Sequence, residues 1–414
     1  MKSNEQEKKK VPAPRLRFKQ FEGMGEWKEK TISDLLAVRN IKKPPSEDIP
    51  LFSLTIEDGV TAKSERYDRE FLVGKKEQKT YKVVMPNDLV YNPANLRWGA
   101  IAVSKIRHPV VVSPIYEVLY KRPDIEFNEN FVFESLMRPE QIKVFCLKGQ
   151  GTLVERIAVK IDDFVTESIP LPPTLPEQTH IAACLSSLDA VITAHTDKLD
   201  ALRQHKRALM QELFPQGGER VPRLRFPEFE GNGEWEEKEV GEVFTVTRGL
   251  VLSMTLVSDK PDLEKKYPVY SSQTKNKGLA GYYSDYLYQD AITWTTDGAN
   301  AGDTNYREGK FYCTNVCGVL LNSEGYANLF VAELLNTVTR NHVSYVGNPK
   351  LMNGVMSKIK IPLPTLPEQQ RIAACLSSLD DLITAQSEKI DELKTFKRGL
   401  MQGLFPSTNH EAAE

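Results

Sequence analysis

A chain of 414 residues and 46.9 kDa is too long for one ordinary hydrophobic core, which predicts at least two domains. Hydrophobic residues at 40% and charged residues at 27% describe a globular chain, and no apolar run approaches the ~18 residues a spanning helix needs. A net charge of −2 excludes indiscriminate polyanion binding through bulk charge but leaves room for a local basic face. The hydrophilic start of the chain lacks the apolar stretch of a signal peptide, so a cytoplasmic protein is expected. Five scattered cysteines make no disulfide framework. Cys313 and Cys317 have no second His/Cys pair at zinc spacing; they read as thiols of a buried strand, and no metal site is expected.

Residues 1–14 form a basic N-terminal tail, expected to be disordered. A first domain is expected over 15–168. It opens on Arg15-Leu16-Arg17-Phe18-Lys19-Gln20-Phe21-Glu22-Gly23, followed by Gly25-Glu26-Trp27. Short β-branched and aromatic runs then predict strands near 81–84, 100–103 and 110–112. The loop at 91–99 combines two amides, an arginine and an aromatic. Amides bond adenine edges and arginine bonds guanine edges, so Asn92, Asn95 and Arg97 are candidate base contacts. Lys75, Lys76, Lys79, Lys82, Lys105 and Arg107 are candidate phosphate contacts.

A central helical region is expected over 169–215. Thr174 precedes Glu177 at the spacing of a capping box, and Pro176 falls in the first turn, where its missing N–H costs nothing. Apolar residues then recur in steps of four and three: Ile181, Leu185, Leu188, Ile192, Leu199, Leu202, Leu209 and Leu213. This is a coiled-coil seam. A helix of ~38 residues spans roughly 57 Å and stops near Phe214-Pro215.

After a linker at 216–222 the pattern starts again. Arg223-Leu224-Arg225-Phe226-Pro227-Glu228-Phe229-Glu230-Gly231 and Gly233-Glu234-Trp235 repeat the opening at an offset of 208 residues. A second domain is expected over 223–360, with strands near 267–270, 291–294 and 318–321; Pro268 assigns the first to a sheet edge. Its loop at 295–302 and the residues behind it supply Thr296, Asn300, Asn305 and Arg307 as candidate base contacts. Lys275 and Lys277 are candidate phosphate contacts. Such loops are also ordinary turns, so alone they do not establish DNA binding.

A distal helical region at 361–406 repeats the central one at an offset of 191, with roughly 26 of 40 positions identical from Pro176 and Pro367 onward. Thr365, Pro367 and Glu368 repeat the helix start. The seam repeats as Ile372, Leu376, Leu379, Ile383, Ile390, Leu393, Leu400 and Leu404. Polar residues occupy matching seam positions, His195 with Lys206 and Gln386 with Lys397, and read as register-setting rather than ligand-binding. The pairs Lys206-Arg207 and Lys397-Arg398 suit helix C-termini and read as solvated faces. Residues 407–414 form a C-terminal tail. Between the shared ends the halves do not align. The expected fold is α/β (α+β): two mixed α/β domains separated by two long antiparallel coiled-coil helices, with pseudo-twofold symmetry.

No glycine-rich cofactor fingerprint and no Walker A sequence is present. Asn92-Pro93-Ala94-Asn95 has only part of the adenine-methyltransferase loop, lacking its second proline and its aromatic. Pro261-Asp262-Leu263-Glu264-Lys265-Lys266 has the letters of a nuclease site crowded into one hydrophilic turn. The six histidines are unclustered. No catalytic residue is expected.

The segments 170–178 and 362–369, Pro-Leu-Pro-Pro-Thr-Leu-Pro-Glu-Gln and Pro-Leu-Pro-Thr-Leu-Pro-Glu-Gln, each precede an Ile-Ala…Leu-Ser-Ser-Leu-Asp helix. With the repeated Arg-Phe…Glu-Trp opening, this architecture resembles the specificity subunit of a type I restriction–modification enzyme over nearly the whole chain. The resemblance implies a non-catalytic subunit that reads a two-part target in double-stranded DNA. It implies two methyltransferase subunits as partners and, through them, two restriction/translocase subunits, without a membrane. No cofactor belongs to the chain itself; S-adenosylmethionine, ATP and Mg would sit on the partner subunits. Different domain contents in a duplicated frame predict an asymmetric target whose half-sites lie about one helical turn or more apart, spaced by the helices. Two other readings stay open: a stand-alone DNA-binding scaffold or regulator, and a nuclease with a hidden site.

Overall fold

A computed structural model describes residues 13–62, 79–149, 158–272 and 276–406. The chain falls into two units, Met1–Ala194 with Asp391–Glu414, and His195–Ile390. Lys75, Lys76 and Lys275 lie outside the described residues, as do 1–12 and 407–414.

The first unit begins with β1 (Lys28–Thr31), α1 (Ile32–Leu35), β2 (Leu36–Val38), β3 (Lys42–Lys43), β4 (Phe52–Thr55), β5 (Gly59–Ala62) and β6 (Tyr81–Val84). There follow β7 (Leu89–Tyr91), β8 (Ile101–Val103), β9 (Val110–Val112) and β10 (Glu117–Lys121). Three helices, α2 (Glu129–Met137), α3 (Pro139–Leu147) and α4 (Ile161–Val165), lead to β11 (Ser168–Leu171) and the first long helix, α5 (Leu175–Leu213).

The second unit repeats the plan as β12 (Glu236–Glu239), α6 (Val240–Val243), β13 (Thr245–Arg248), β14 (Tyr267–Tyr270), β15 (Leu279–Tyr283) and β16 (Tyr288–Thr295). It continues through β17 (Thr304–Cys313), β18 (Cys317–Leu321), α7 (Leu329–Val338), α8 (Asn353–Met356) and β19 (Lys360–Leu363) to the second long helix, α9 (Leu366–Leu404). The six strand runs expected from sequence all fall on strands. Both helices have 39 residues and stop before the expected Phe-Pro.

The main sheets of the two units share a core that the sequence conceals. In the first unit the order is β2-β10-β7-β8, and in the second β13-β18-β16-β17 begins a six-stranded sheet. Both place their core strands first, fourth, second, third, every pair antiparallel. What surrounds this core differs. The first unit adds a β3-β6-β9 sheet and the β4-β5 hairpin, whereas the second adds β14 and β15 to the same sheet.

Pro268 does not mark an edge as expected: β14 lies between β17 and β15. The proline is tolerated because it pairs only toward Tyr282, and the parallel ladder to β17 begins one residue later, at Val269. At the β16–β18 crossing Gly318 cannot be replaced, since a Cβ there would lie 2.1 Å from the Trp294 ring.

A clasp closes each frame. β1 pairs with β11, and β12 with β19, joining each opening segment to the strand before its long helix. Glu177 and Glu368, both buried, are then gripped bidentately by Arg17 and Arg225, every N–O distance being 2.8 Å. The indoles of Trp27 and Trp235 donate to the same carboxylates at 3.2 and 3.3 Å. The capping-box reading is therefore corrected. Thr174 Oγ1 accepts weakly from Glu177 N at 3.4 Å, but the Glu177 carboxylate turns away to Arg17. A charged pair that is fully hydrogen-bonded gains more there than at an exposed cap.

Within each unit the two long-helix segments run antiparallel. Ile181 and Leu185 share the first core with Leu404 and Phe405, and Leu213 and Phe214 share the second with Ile372 and Leu376. Every expected seam residue is buried or half-buried. α2 and α7 pack against these pairs: Phe131 stacks on Phe405 at 5.2 Å, and Phe330 meets Phe214 at 5.3 Å.

Candidate nucleic-acid interface

The first candidate loop is a closed turn built on buried anchors. Asn92 Oδ1 accepts from Ala94 N at 3.1 Å and Asn92 N donates to Ala100 O, so this buried amide makes the turn. Leu96 is buried, and Gly99, at φ +86°, closes a 3₁₀ turn over Leu96–Trp98. What remains outside is Asn95, half-buried Arg97 with its guanidinium 4.4 Å from the Trp98 ring, and Trp98 itself, 61% exposed. Lys79, Lys105 and Arg107 are exposed. Lys82 is buried instead and paired with Glu117 at 2.6 Å, so it serves the sheet.

In the second unit Thr296 is buried, its hydroxyl 2.7 Å from Asp297 Oδ2 and 3.0 Å from Val316 O. Arg307 is also buried. Its Nε donates to Thr293 Oγ1 at 2.9 Å and its Nη2 to Lys277 O at 2.6 Å, with the guanidinium 3.7 Å from the Tyr270 ring. Burial pulls this guanidinium below its ordinary pKa. Asn92, Thr296 and Arg307 thus hold the fold rather than present edges to a base, a correction to their expected role. Asn300 and Asn305 are half-buried and Lys277 is exposed.

Lys277 and Asn305 meet in a cleft of about 450 Å³ between β17, α7 and the long helices. Sequence reasoning missed its other polar walls: Arg203, Lys206 and Arg207 of α5, Tyr306, and Asn336 of α7. A signal was available. At the repeat offset of 191 Arg203 and Arg207 align in sequence with Lys394 and Arg398, so the basic character persists where Gln204-His205 becomes Thr395-Phe396.

Lys206 is no solvated-face residue. It bonds Asp380 at 2.8 Å and Glu333 at 3.0 Å; in the first unit Lys397 bonds Asp189 at 2.8 Å, with Glu134 at 3.6 Å. Each lysine therefore ties the opposite long helix to a short helix, α7 for Lys206 and α2 for Lys397. Burial pulls the Lys206 ammonium down, but Asp380 and Glu333 outweigh it and leave its pKa above the usual lysine value. Burial pushes the Glu134 carboxyl up, against the pull of Lys397. The other polar seam positions meet each other, Gln386 Nε2 lying 2.7 Å from His195 Nδ1.

Among the described residues no group of three or more His, Cys, Asp or Glu is placed to hold a metal, and no helix is long and apolar enough to cross a membrane. Cys313 and Cys317 are buried thiols, the latter pushed by burial to a pKa of about 11. Asp262 Oδ1 accepts from Glu264 N and Lys265 N, at 2.8 and 2.6 Å. Its carboxylate thus makes a turn.

Residues 232–395 match the sequence profile of the type I restriction modification DNA specificity domain. A Mycoplasma pneumoniae protein named as the N-terminus of a type I specificity subunit is 36% identical over 142 residues, covering 34% of this chain and 74% of its own length. Another from the same organism is 31% identical over 163 residues, so the chain spans about half, 52%, of that relative, and 38% of this chain is covered. The MjaX specificity subunit of Methanocaldococcus jannaschii is 28% identical over 255 residues, 57% of this chain and 58% of that one. The crystal structure of a type I S subunit from M. genitalium superposes with a TM-score of 0.60 over 96% of this chain and 100% of that one, at 16% identity.

Proposed function

Because the chain belongs to the type I restriction–modification specificity subunits, we propose that each of its recognition domains reads one half of an asymmetric, two-part target in double-stranded DNA. The observation that carries this reading is the duplicated frame holding unlike contents. The clasp, the lysine tie and the four-strand core recur, while the loops and the added strands do not. One frame with two different reading surfaces suits two different half-sites.

Asn95, Arg97 and the exposed Trp98 are the first domain's base-reading set, with Lys79, Lys105 and Arg107 on phosphates. Asn300 and Asn305 serve the second domain, with Lys277 on a phosphate. The chain itself carries no active site. It recruits two methyltransferase subunits through its long helices and, through them, two restriction/translocase subunits. S-adenosylmethionine, ATP and Mg belong to those partners, in the cytoplasm.

The long helices set the gap between the half-sites. Inserting four residues into the exposed stretch around Ala201 of α5, about one turn or ~6 Å, is expected to lengthen the unread spacer in the methylated target while both half-sites stay the same. Methylation mapping of the variant checks this. Altered half-sites with an unchanged gap would contradict it.

A further inference from the structure

The cleft of the second unit gathers three cations that the fold does not consume. Among the described residues Arg203 makes one ion pair, with its helix neighbour Asp200 at 3.5 Å, both side chains about half exposed. Arg207 and Lys277 have no ion-pair partner among the described residues. Lys206, on the same wall, is already neutralised by Asp380 and Glu333. Met210, Leu329 and Ile383 lie beside them, and apolar walls strengthen attraction for an anion.

Lys277 is held in place by construction. It and Asn276 sit at φ +50° and +51°, the left-handed region that a lysine rarely adopts. The turn is pinned from below by Arg307 Nη2 on Lys277 O and by Ser271 N on Gly278 O at 2.8 Å. A Cβ on Gly278 would lie 2.7 Å from Ser271 O, so the position beside Lys277 requires glycine. A strained lysine fixed by a buried, stacked arginine is costly unless its position is used.

Resting on the DNA-specificity reading, we propose that this cleft seats backbone phosphates of the duplex between Lys277 on the sheet side and Arg203 and Arg207 on α5. The long helix is then itself a DNA contact and not only a spacer. The contact is blind to sequence: it fixes where the duplex lies against the second domain and leaves base choice to the loops.

The test is the salt dependence of binding, measured for the full chain assembled with its methyltransferase subunits on duplexes that carry its methylated motif. Removing one phosphate-binding cation lowers the slope of log affinity against log salt by about 0.9. Arg203→Ala with Arg207→Ala should therefore lower it by about 1.8, and Lys277→Gly by about 0.9, with the methylated motif unchanged. Lys277→Gly also relieves the backbone strain, so its melting temperature should rise while affinity falls. An unchanged slope in the double arginine variant overturns the proposal. So does an unchanged slope with loss of methyltransferase co-purification, which would give the cleft to an acidic protein segment. A wild-type assembly that shows no preference for a two-part duplex would instead refute the DNA-specificity reading itself.

Discussion

Glu177 and Glu368 are charges taken almost wholly out of water, and they persist because each accepts from an arginine and an indole at once. Glu368→Gln keeps the shape but strands the Arg225 guanidinium, and is expected to destabilise the second unit by about 3 kcal/mol. A lowered denaturant midpoint checks this, with Glu228→Gln as reference. The Glu228–Arg371 pair is half exposed on both sides, so solvent screens it and its loss should leave the midpoint nearly where it is in the wild type. Equal midpoints for the two variants would contradict the account. The sequence marked these glutamates as important through the repeat but mislaid their partner. A capping pattern sees three residues, whereas Arg225 lies in the opening segment of the unit. Asn92, Thr296 and Arg307 misled for a related reason. The side chains that match base edges are also those that satisfy buried backbone groups, and composition cannot tell the two uses apart.

Among elements, the long helices were the most legible, since apolar steps of four and three sustained over 39 residues fit the period of a helix and of no strand or loop. The shared four-strand core was invisible. A strand in a packed sheet asks only for β-branched or apolar residues of about the right size, so two copies keep their order while losing all recognisable identity. Pro268 was read as an edge signal because sequence does not say where a neighbouring ladder begins. The lysine tie between helices carries a pH signature. A lysine held above its ordinary value stabilises the fold fully below that value, about pH 10.4, and the contribution is lost as pH rises through the raised value. Lys206→Met leaves Glu333 and Asp380 without their cation. It should therefore be less stable than wild type by about 1–3 kcal/mol at pH 8, and the gap should narrow above pH ~10.5. Thermal unfolding of both proteins from pH 8 to 11 checks it; a gap that stays constant would remove the lysine from the tie.

For the molecule as a whole, the repeat was legible at once and the difference between its contents was the informative part. Each unit closes with its own opening segment, its own recognition sheet and segments of both long helices, so a single chain carries the same frame twice. Trp98, Arg203 and Arg207 stand where that frame leaves side chains outside, and only the folded arrangement separates such residues from the many polar ones turned inward. This frame is proposed to read two unlike half-sites with a fixed gap. Co-expression with the neighbouring methyltransferase subunit in a host lacking its own adenine methylation, followed by single-molecule sequencing, tests it directly. Methylated adenines are expected in one asymmetric, two-part motif with a constant unread spacer, absent when this chain is omitted. A continuous or palindromic motif, or methylation that does not depend on the chain, would contradict it.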